Sequence, residues 1–307
     1  MAQNLSAAQV GNTFADAVER VSSGVVAVLG RKRLPATGTV WQTDETGAVI
    51  VTASHVIERE DHLSIRLADD TDVPAALLGR DMTRDLAVLR VETTALDAAQ
   101  VASDDTRVGT LAMAVGRPFV TCTQASFGSV VFVGSLRFRN FPTGQMIHAD
   151  PTLYPGFSGG PLINAAGEVL GINTSGSLQS GSITIPSPQI TRIVRDIVEI
   201  GYVRTAWVGI TVQQVDLPEH IRTEFPDQQT GVQVLGIEEN TPAGDAGLYV
   251  NDILVTVDGQ PLEDVIDLQH ILCDELIGES ISIVAWRDDT RHELHVIPVA
   301  RPEQPHG

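Results

Sequence analysis

Between residues 23 and 186 the chain is cut into apolar or alternating runs too short to be helices. The first series reads "VVAVLG", "GTVWQT", "AVIVTA", "LSIRL", "VPAALL" and "LAVLRV". The second reads "LAMAVG", "SVVFVG", "MIHAD", "GPLIN", "VLGINT" and "SITIP". Turn residues separate the runs, and no helical period falls between them. That pattern excludes alternating strand and helix units and predicts an all-β sandwich or pair of barrels. Helical spacing brackets this region. Phe14, Ala17, Val18 and Val21 follow the caps Asn12 and Thr13, predicting a helix over 12–22. Ser187 as cap and Pro188 at the first position open a second helix, with Ile190, Ile193, Ile197 and Ile200 on one face and Gly201 ending it. Beyond Tyr202 the strand pattern restarts with "WVGITVQQV", "GVQVLGI" and "DILVTVDGQPL", then a helix near 264–276 and "SISIVAW". The expected organisation is an N-terminal helical segment over 1–22, a β domain over 23–203, a smaller α+β domain over 205–300 and a tail over 301–307.

Charge separates the two units. The net charge of the 307 residues is −19, and from 205 onward 19 acidic residues face only 4 Lys and Arg, so that −15 falls on the last third. Without a basic face, nucleic acid is not an expected partner. No run approaches the length of a membrane span. The N-terminus lacks the basic start and apolar block of a secretory signal, which points to the cytoplasm, or to the periplasm or cell envelope if an export signal has been removed. Two cysteines, Cys122 and Cys273, read as buried thiols and not as a disulfide framework. "HELH" at 292–295 lies in a strand, where His292 and His295 point to opposite faces, so neither metal nor cofactor is expected.

The segment "PGFSGGPL" surrounds Ser158 with glycines. Turn formation alone favours such residues, and so does a nucleophile whose neighbours must offer bare backbone N–H groups to an anion. Gly156-Phe157-Ser158-Gly159-Gly160 formally fits the nucleophile elbow, but that turn needs a following helix and a later acid and histidine. Here a hairpin turning at Asn164 to Gly167 follows, and Pro161 interrupts any helix. Histidine, aspartate, serine is the order that works. "AVIVTASHVI" ends a strand on a turn carrying His55, and "DMTRDLAVLRV" sets Asp85 at the start of a buried strand, where it could also pair with Arg84. Each alone is an ordinary turn residue; together, each at a strand edge, they form a candidate catalytic set.

"VTASHVI", "RDLAVLRV", "PGFSGGPL" and "GINTSG" resemble the trypsin-like serine proteases of the HtrA (high-temperature-requirement) type. "WVGI", "NTPAGDAGLYVNDILVTVDGQPL" and "DLQHIL" resemble a PDZ domain, so the likeness covers residues 20 to 300. It implies a mainly β fold, a chymotrypsin/trypsin-like double β-barrel followed by a small α+β PDZ domain. It also implies His55 as general base, Asp85 orienting it, Ser158 as nucleophile, and the N–H groups of Gly156 and Ser158 as an oxyanion hole. Leu153, Ser182 and Thr184 are expected at the specificity pocket. In the PDZ unit, Val208, Gly209 and Ile210 would hold a peptide carboxylate beside a helix carrying Val265, Leu268 and Leu272. Polypeptide substrates and peptide C-termini are the implied partners, and a homotrimer formed through the N-terminal segment makes Phe14 a contact, unless Phe14 only packs its helix on the barrel.

The sequence departs from the pattern at two places. Phe157 stands where the family carries Asn, which suggests a loop wedged by packing. "ASH" replaces "NNH" at the histidine turn, with little effect expected. Arg137 and Arg139 fall where the family keeps an activation-sensing loop, or are solvated surface residues. The leading reading is an endopeptidase for unfolded or damaged protein. A catalytically silent peptide-binding scaffold and a hydrolase of small esters are the rivals; the second leaves the PDZ unit unexplained.

Overall fold

The computed structural model describes residues 7–32, 34–103, 105–119, 122–134, 145–175, 183–272 and 274–301. The chain divides into two compact units, Met1–Val203 and Arg204–Gly307. In the first, β1 (Val25–Leu29), β2 (Ala36–Asp44), β3 (Gly47–Ala53), β4 (Ser64–Arg66), β5 (Asp72–Asp81) and β6 (Leu86–Val91) close into a barrel in the order β1-β2-β3-β6-β5-β4. A second barrel runs β10-β11-β12-β9-β8-β7, built from β7 (Leu111–Phe119), β8 (Cys122–Gly134), β9 (Met146–Ala149), β10 (Pro161–Asn164), β11 (Val169–Thr174) and β12 (Ile183–Pro186). The two series of short runs therefore each make one barrel.

Alternation explains the layering. Val26, Val28, Val40, Ile50, Ile65 and Leu89 fill the first barrel. Ala112, Ala114, Val130, Ile147, Leu162 and Phe157 pack together in the second. The opposite faces of both barrels meet in a third cluster that includes Val51, Val88, Val115 and Ile172. Strands apolar on both faces read as continuous runs for this reason.

Two helices cover that seam. The first, α1 (Ala7–Ser22), starts earlier than the sequence pattern suggested and buries Ala17 and Val21. The second, α2 (Ser187–Ile200), buries Ile190, Ile193, Val194 and Ile197, while Ile200 stays 41% exposed. Its cap differs from expectation. Pro186 is the N-cap residue, and the Ser187 hydroxyl instead donates to the Val169 carbonyl at 2.8 Å. Gly201 closes the helix at φ 83°, its N–H meeting the Ile197 carbonyl at 2.9 Å.

Cys122 corrects the expectation of a buried thiol: it is free and exposed, because it opens β8 at the end of a hairpin opposite Phe119. Cys273 lies outside the described residues.

In the second unit a five-strand path runs β14 (Ile210–Asp216), β15 (Thr230–Ile237), β16 (Ile253–Val257), β18 (Ile281–Arg287) and β19 (Thr290–Val296). The short strand β17 (Gln260–Pro261) pairs with β16, and β13 (Ala206–Trp207) pairs with β20 (Val299–Ala300). Short helices α3 (Glu219–Glu224) and α4 (Pro242–Asp245) were not anticipated. The helix expected near 264–276 is α5 (Val265–Ile271) followed by a 3-10 turn at Asp274–Leu276. Asp264 and Asp267 form its capping box.

Candidate active site

His55 sits on a 3-10 turn, Ser54–Val56, directly after β3. Asp85 precedes β6, and β3 and β6 are antiparallel neighbours with Ala53 opposite Leu86. That register brings the two residues together. Asp85 Oδ1 accepts the His55 backbone N–H at 2.8 Å, and Oδ2 lies 2.6 Å from His55 Nδ1. A carboxylate is acceptor-only, so Nδ1 carries the proton and Nε2 is left as a base. The Thr174 hydroxyl donates to the same Oδ2.

Asp85 is 7% exposed. Burial pushes its carboxyl up, but the hydrogen bonds from the His55 ring, the Thr174 hydroxyl and the His55 N–H, with the electrostatic attraction of the ring, outweigh burial and hold it below the ordinary carboxylate value. Among the described residues no ion pair joins Asp85 to Arg84. Arg84 turns inward to Asp81 at 2.8 Å, while Asp81 Oδ1 also takes the N–H groups of Thr83 and Arg84 at 3.0 Å.

Ser158 lies in the loop between β9 and β10. Tyr154-Pro155-Gly156-Phe157 is a type II turn: proline occupies its second position, Gly156 has φ 91°, and the Phe157 N–H meets the Tyr154 carbonyl at 3.0 Å. Glycine is needed at 156 on two counts, since an added Cβ would also lie 2.4 Å from Pro118 Cβ. Among the described residues, no acceptor meets the N–H of Gly156 or of Ser158. Those two donors are the ones an oxyanion would need.

The nucleophile candidate is 7% exposed, and its hydroxyl lies 3.0 Å from that of Ser175. Among the described residues no hydrogen bond joins Ser158 to His55. The end of β11 ties the set together. Asn173 bonds Gly159 and Gly160 through its backbone at 2.8 and 2.9 Å, Thr174 reaches Asp85, and Ser175 reaches Ser158.

Phe157 is fully buried in the second barrel. Its ring lies edge-on to Tyr154, with centroids 5.5 Å apart, and fills the space left by Gly116, where a Cβ would come within 2.5 Å of it. The packing wedge inferred from sequence has this as its structural counterpart.

Of the specificity residues, Leu153 packs against the second barrel's core. Thr184 is 3% exposed and its hydroxyl is committed to Asn173 Oδ1 at 2.7 Å, while Asn173 Nδ2 is buried and meets no partner among the described residues. Ser182, Arg137 and Arg139 lie outside the described residues.

In the second unit Gly209 has φ 84°, and an added Cβ would lie 2.4 Å from Thr241 Cβ. The carbonyls of Val208 and Gly209 accept from Ala243 and Glu238 at 2.9 Å, whereas no acceptor meets the N–H of Val208 or Gly209 among the described residues. Ile210 opens β14, the edge of the sheet, beside which α5 lies. Leu268 is core, Leu272 packs partly against it, and Val265 is half-buried.

Sequence reasoning overlooked three contributors. Arg80 on β5 donates to the Ser54 carbonyl at 2.9 Å, the Ser54 hydroxyl at 3.1 Å and the Ile57 carbonyl at 3.2 Å, holding both ends of the histidine turn. Ser54, where the family pattern has Asn, is thus an anchored residue. Thr37 and Ser175 touch the serine loop from either side.

A trypsin-like peptidase domain model matches residues 36–172, and a PDZ domain model matches 206–297. Among curated proteins, the chain is 32% identical over 266 residues to a "Probable periplasmic serine endoprotease DegP-like" of Pseudomonas savastanoi pv. phaseolicola, covering 83% of this chain and 54% of that protein. A protein of the same name in Brucella suis is 31% identical over 284 residues, 89% of this chain and 54% of the relative. The chain thus spans about half the length of the curated relatives it matches. Among solved structures, an HtrA-type protease AlgW with a decapeptide superposes with a TM-score of 0.69 at 25% identity, covering 95% of this chain and 99% of that one. AlgW with a tripeptide gives 0.68 at 28% identity, covering 95% and 98%. With both domain models in tandem order and HtrA-type structures matching over 95% of the chain, the chain belongs to the HtrA-type proteases, a trypsin-like peptidase domain followed by a PDZ domain.

Proposed function

We propose that this chain is a serine endopeptidase that cleaves unfolded or damaged proteins through an acyl-enzyme, with its PDZ domain reading peptide C-termini. The observation that carries this is the His55–Asp85 pair at 2.6 Å beside a serine loop whose Gly156 and Ser158 N–H groups meet no acceptor among the described residues. Nε2 of His55 takes the Ser158 proton as Oγ swings from Ser175 and attacks the scissile carbonyl. The oxyanion then meets the two N–H groups, and His55 returns the proton to the leaving amine before water frees the acyl group. Asp85 holds the neutral imidazole in the required tautomer and stabilises the imidazolium that forms.

Reaction with a fluorophosphonate probe, read as an intact-mass shift, tests this. The unmutated protein should gain one adduct and Ser158→Ala none. Absence of labelling in both, with or without a PDZ peptide, overturns the proposal.

The names of the curated relatives favour the periplasm over the cytoplasm for this chain too. A homotrimer through the N-terminal helix also belongs to this reading. Phe14 and Phe127 stack edge-on at 4.8 Å beside an open apolar recess of about 310 Å³ lined by Phe14, Val18, Met113 and Phe127. Phe127 is 54% exposed and Val131 50%. Phe14 therefore does pack its helix on the barrel, and the surrounding exposed apolar surface suits a second copy.

A further inference from the structure

We infer that Thr37, a residue of the first barrel, is a positioning residue for the oxyanion turn of the second; this rests on the reading of Ser158 as nucleophile. Thr37 lies in β2 and is fully buried. Its hydroxyl accepts the Arg117 N–H at 2.8 Å and donates to the Gly156 carbonyl at 2.7 Å. Its own N–H donates to the Ser158 carbonyl at 3.1 Å, and its carbonyl takes the Thr52 hydroxyl at 2.7 Å. One side chain and its peptide thus grip the residues on both sides of Phe157, while the Phe157 ring is sunk in the second barrel's core.

The chemistry follows from what is held and what is left free. The carbonyls of Gly156 and Ser158 both point into the first barrel's wall and are satisfied there. The N–H groups of the same two residues have no acceptor among the described residues. Fixing the carbonyls restricts the turn to orientations in which these donors stay near Ser158 Oγ. The Thr39 hydroxyl adds a further tie, to the Gly159 carbonyl at 3.0 Å. Preorganised donors act only if they are already aimed when charge develops, so an anchor outside the turn affects the chemical step and not the capture of substrate. Because Thr37 sits across the barrel seam from the serine, the turn's alignment depends on how the two barrels pack.

Thr37→Val removes the hydroxyl at nearly constant volume, and Thr37→Ser restores it. With a peptide substrate well below the unfolding midpoint, kcat per folded molecule should fall about 10- to 100-fold in Thr37→Val with KM within about twofold. That is short of the loss on deleting a donor outright, on the order of 10²- to 10³-fold. Thr37→Ser should recover most of it. Thermal unfolding of each variant accompanies the kinetics, since a merely structural role lowers Tm and leaves kcat per folded molecule intact. If the unmutated protein labels with fluorophosphonate and Thr37→Val turns over at the same kcat, the inference about Thr37 fails alone. If the unmutated protein does not label at Ser158, the reading of the site as proteolytic fails first.

Discussion

The hydroxyls of Ser158 and Ser175 lie 3.0 Å apart, so that with Ser158 as the proposed nucleophile Ser175 is its resting partner. To reach the imidazole, Ser158 must give it up. A net hydrogen bond is worth about 0.5–1.5 kcal/mol, which is about two- to tenfold in rate. Ser175→Ala should therefore speed fluorophosphonate labelling by about that factor, with Tm lowered by no more than a few degrees. Slower labelling of Ser175→Ala would show instead that Ser175 supports the attack.

Asp85 is predicted to be the site's acid-sensitive member. Although burial raises its carboxyl, hydrogen bonds from His55 and Thr174 bring the net value below the ordinary one. In the folded protein the group stays ionised while the unfolded chain, titrating near 3.9, begins to take up protons. The stabilisation is thus full above the unfolded value and is lost as pH falls through the folded one. Urea unfolding of the wild type and Asp85→Asn should show a stability gap that narrows from pH 5 to pH 3. A gap that widens over that interval would contradict the assignment. The same substitution should cost kcat about 10⁴-fold through the wrong tautomer.

The parts of this molecule that sequence disclosed are those with a period or a dense motif. Twelve short runs mapped onto two six-stranded barrels because strand faces alternate, and Ser158 was visible because its turn tolerates little besides glycine. Arg80 and Thr37 were invisible for the opposite reason. Each acts across the fold, on the Ser54 turn and the Gly156 loop, through partners 26 and 119 positions away. Nothing local distinguishes them from a surface arginine and a strand threonine. Ser187 misled because a serine before a proline suits a cap, yet its hydroxyl found the Val169 carbonyl instead.

Phe157 is expected to couple stability to turnover. Its ring is fully buried and interlocks with Gly116 and Tyr154. Phe157→Asn removes that ring and inserts an amide with no evident partner, which by analogy with large-to-small core changes costs about 3–5 kcal/mol. Because the proposed oxyanion donors lie on the neighbouring residues, kcat should fall as well. Phe157→Leu, which keeps an apolar plug, should retain most activity. Unchanged turnover in Phe157→Asn would remove Phe157 from any special role in the loop.

Peptide choice by the PDZ domain should be biased by charge. The chain from 205 onward carries −15, and Glu238 and Glu239 directly follow β15, with the Glu238 N–H bonded to the Gly209 carbonyl at 2.9 Å. A carboxylate tail approaching the proposed loop therefore enters a negative field, opposed locally by the N–H groups of Val208 and Gly209, which meet no acceptor among the described residues. Binding of fluorescent decapeptides, followed by anisotropy, should weaken as Asp or Glu replaces neutral residues upstream of the terminus. The difference should shrink from 0.05 to 0.5 M salt as screening shortens the field from beyond about 10 Å. Neutral and basic tails should bind better at low salt. Affinity that rises with added peptide acids under those conditions would mean that local donors, and not the domain's field, govern selection.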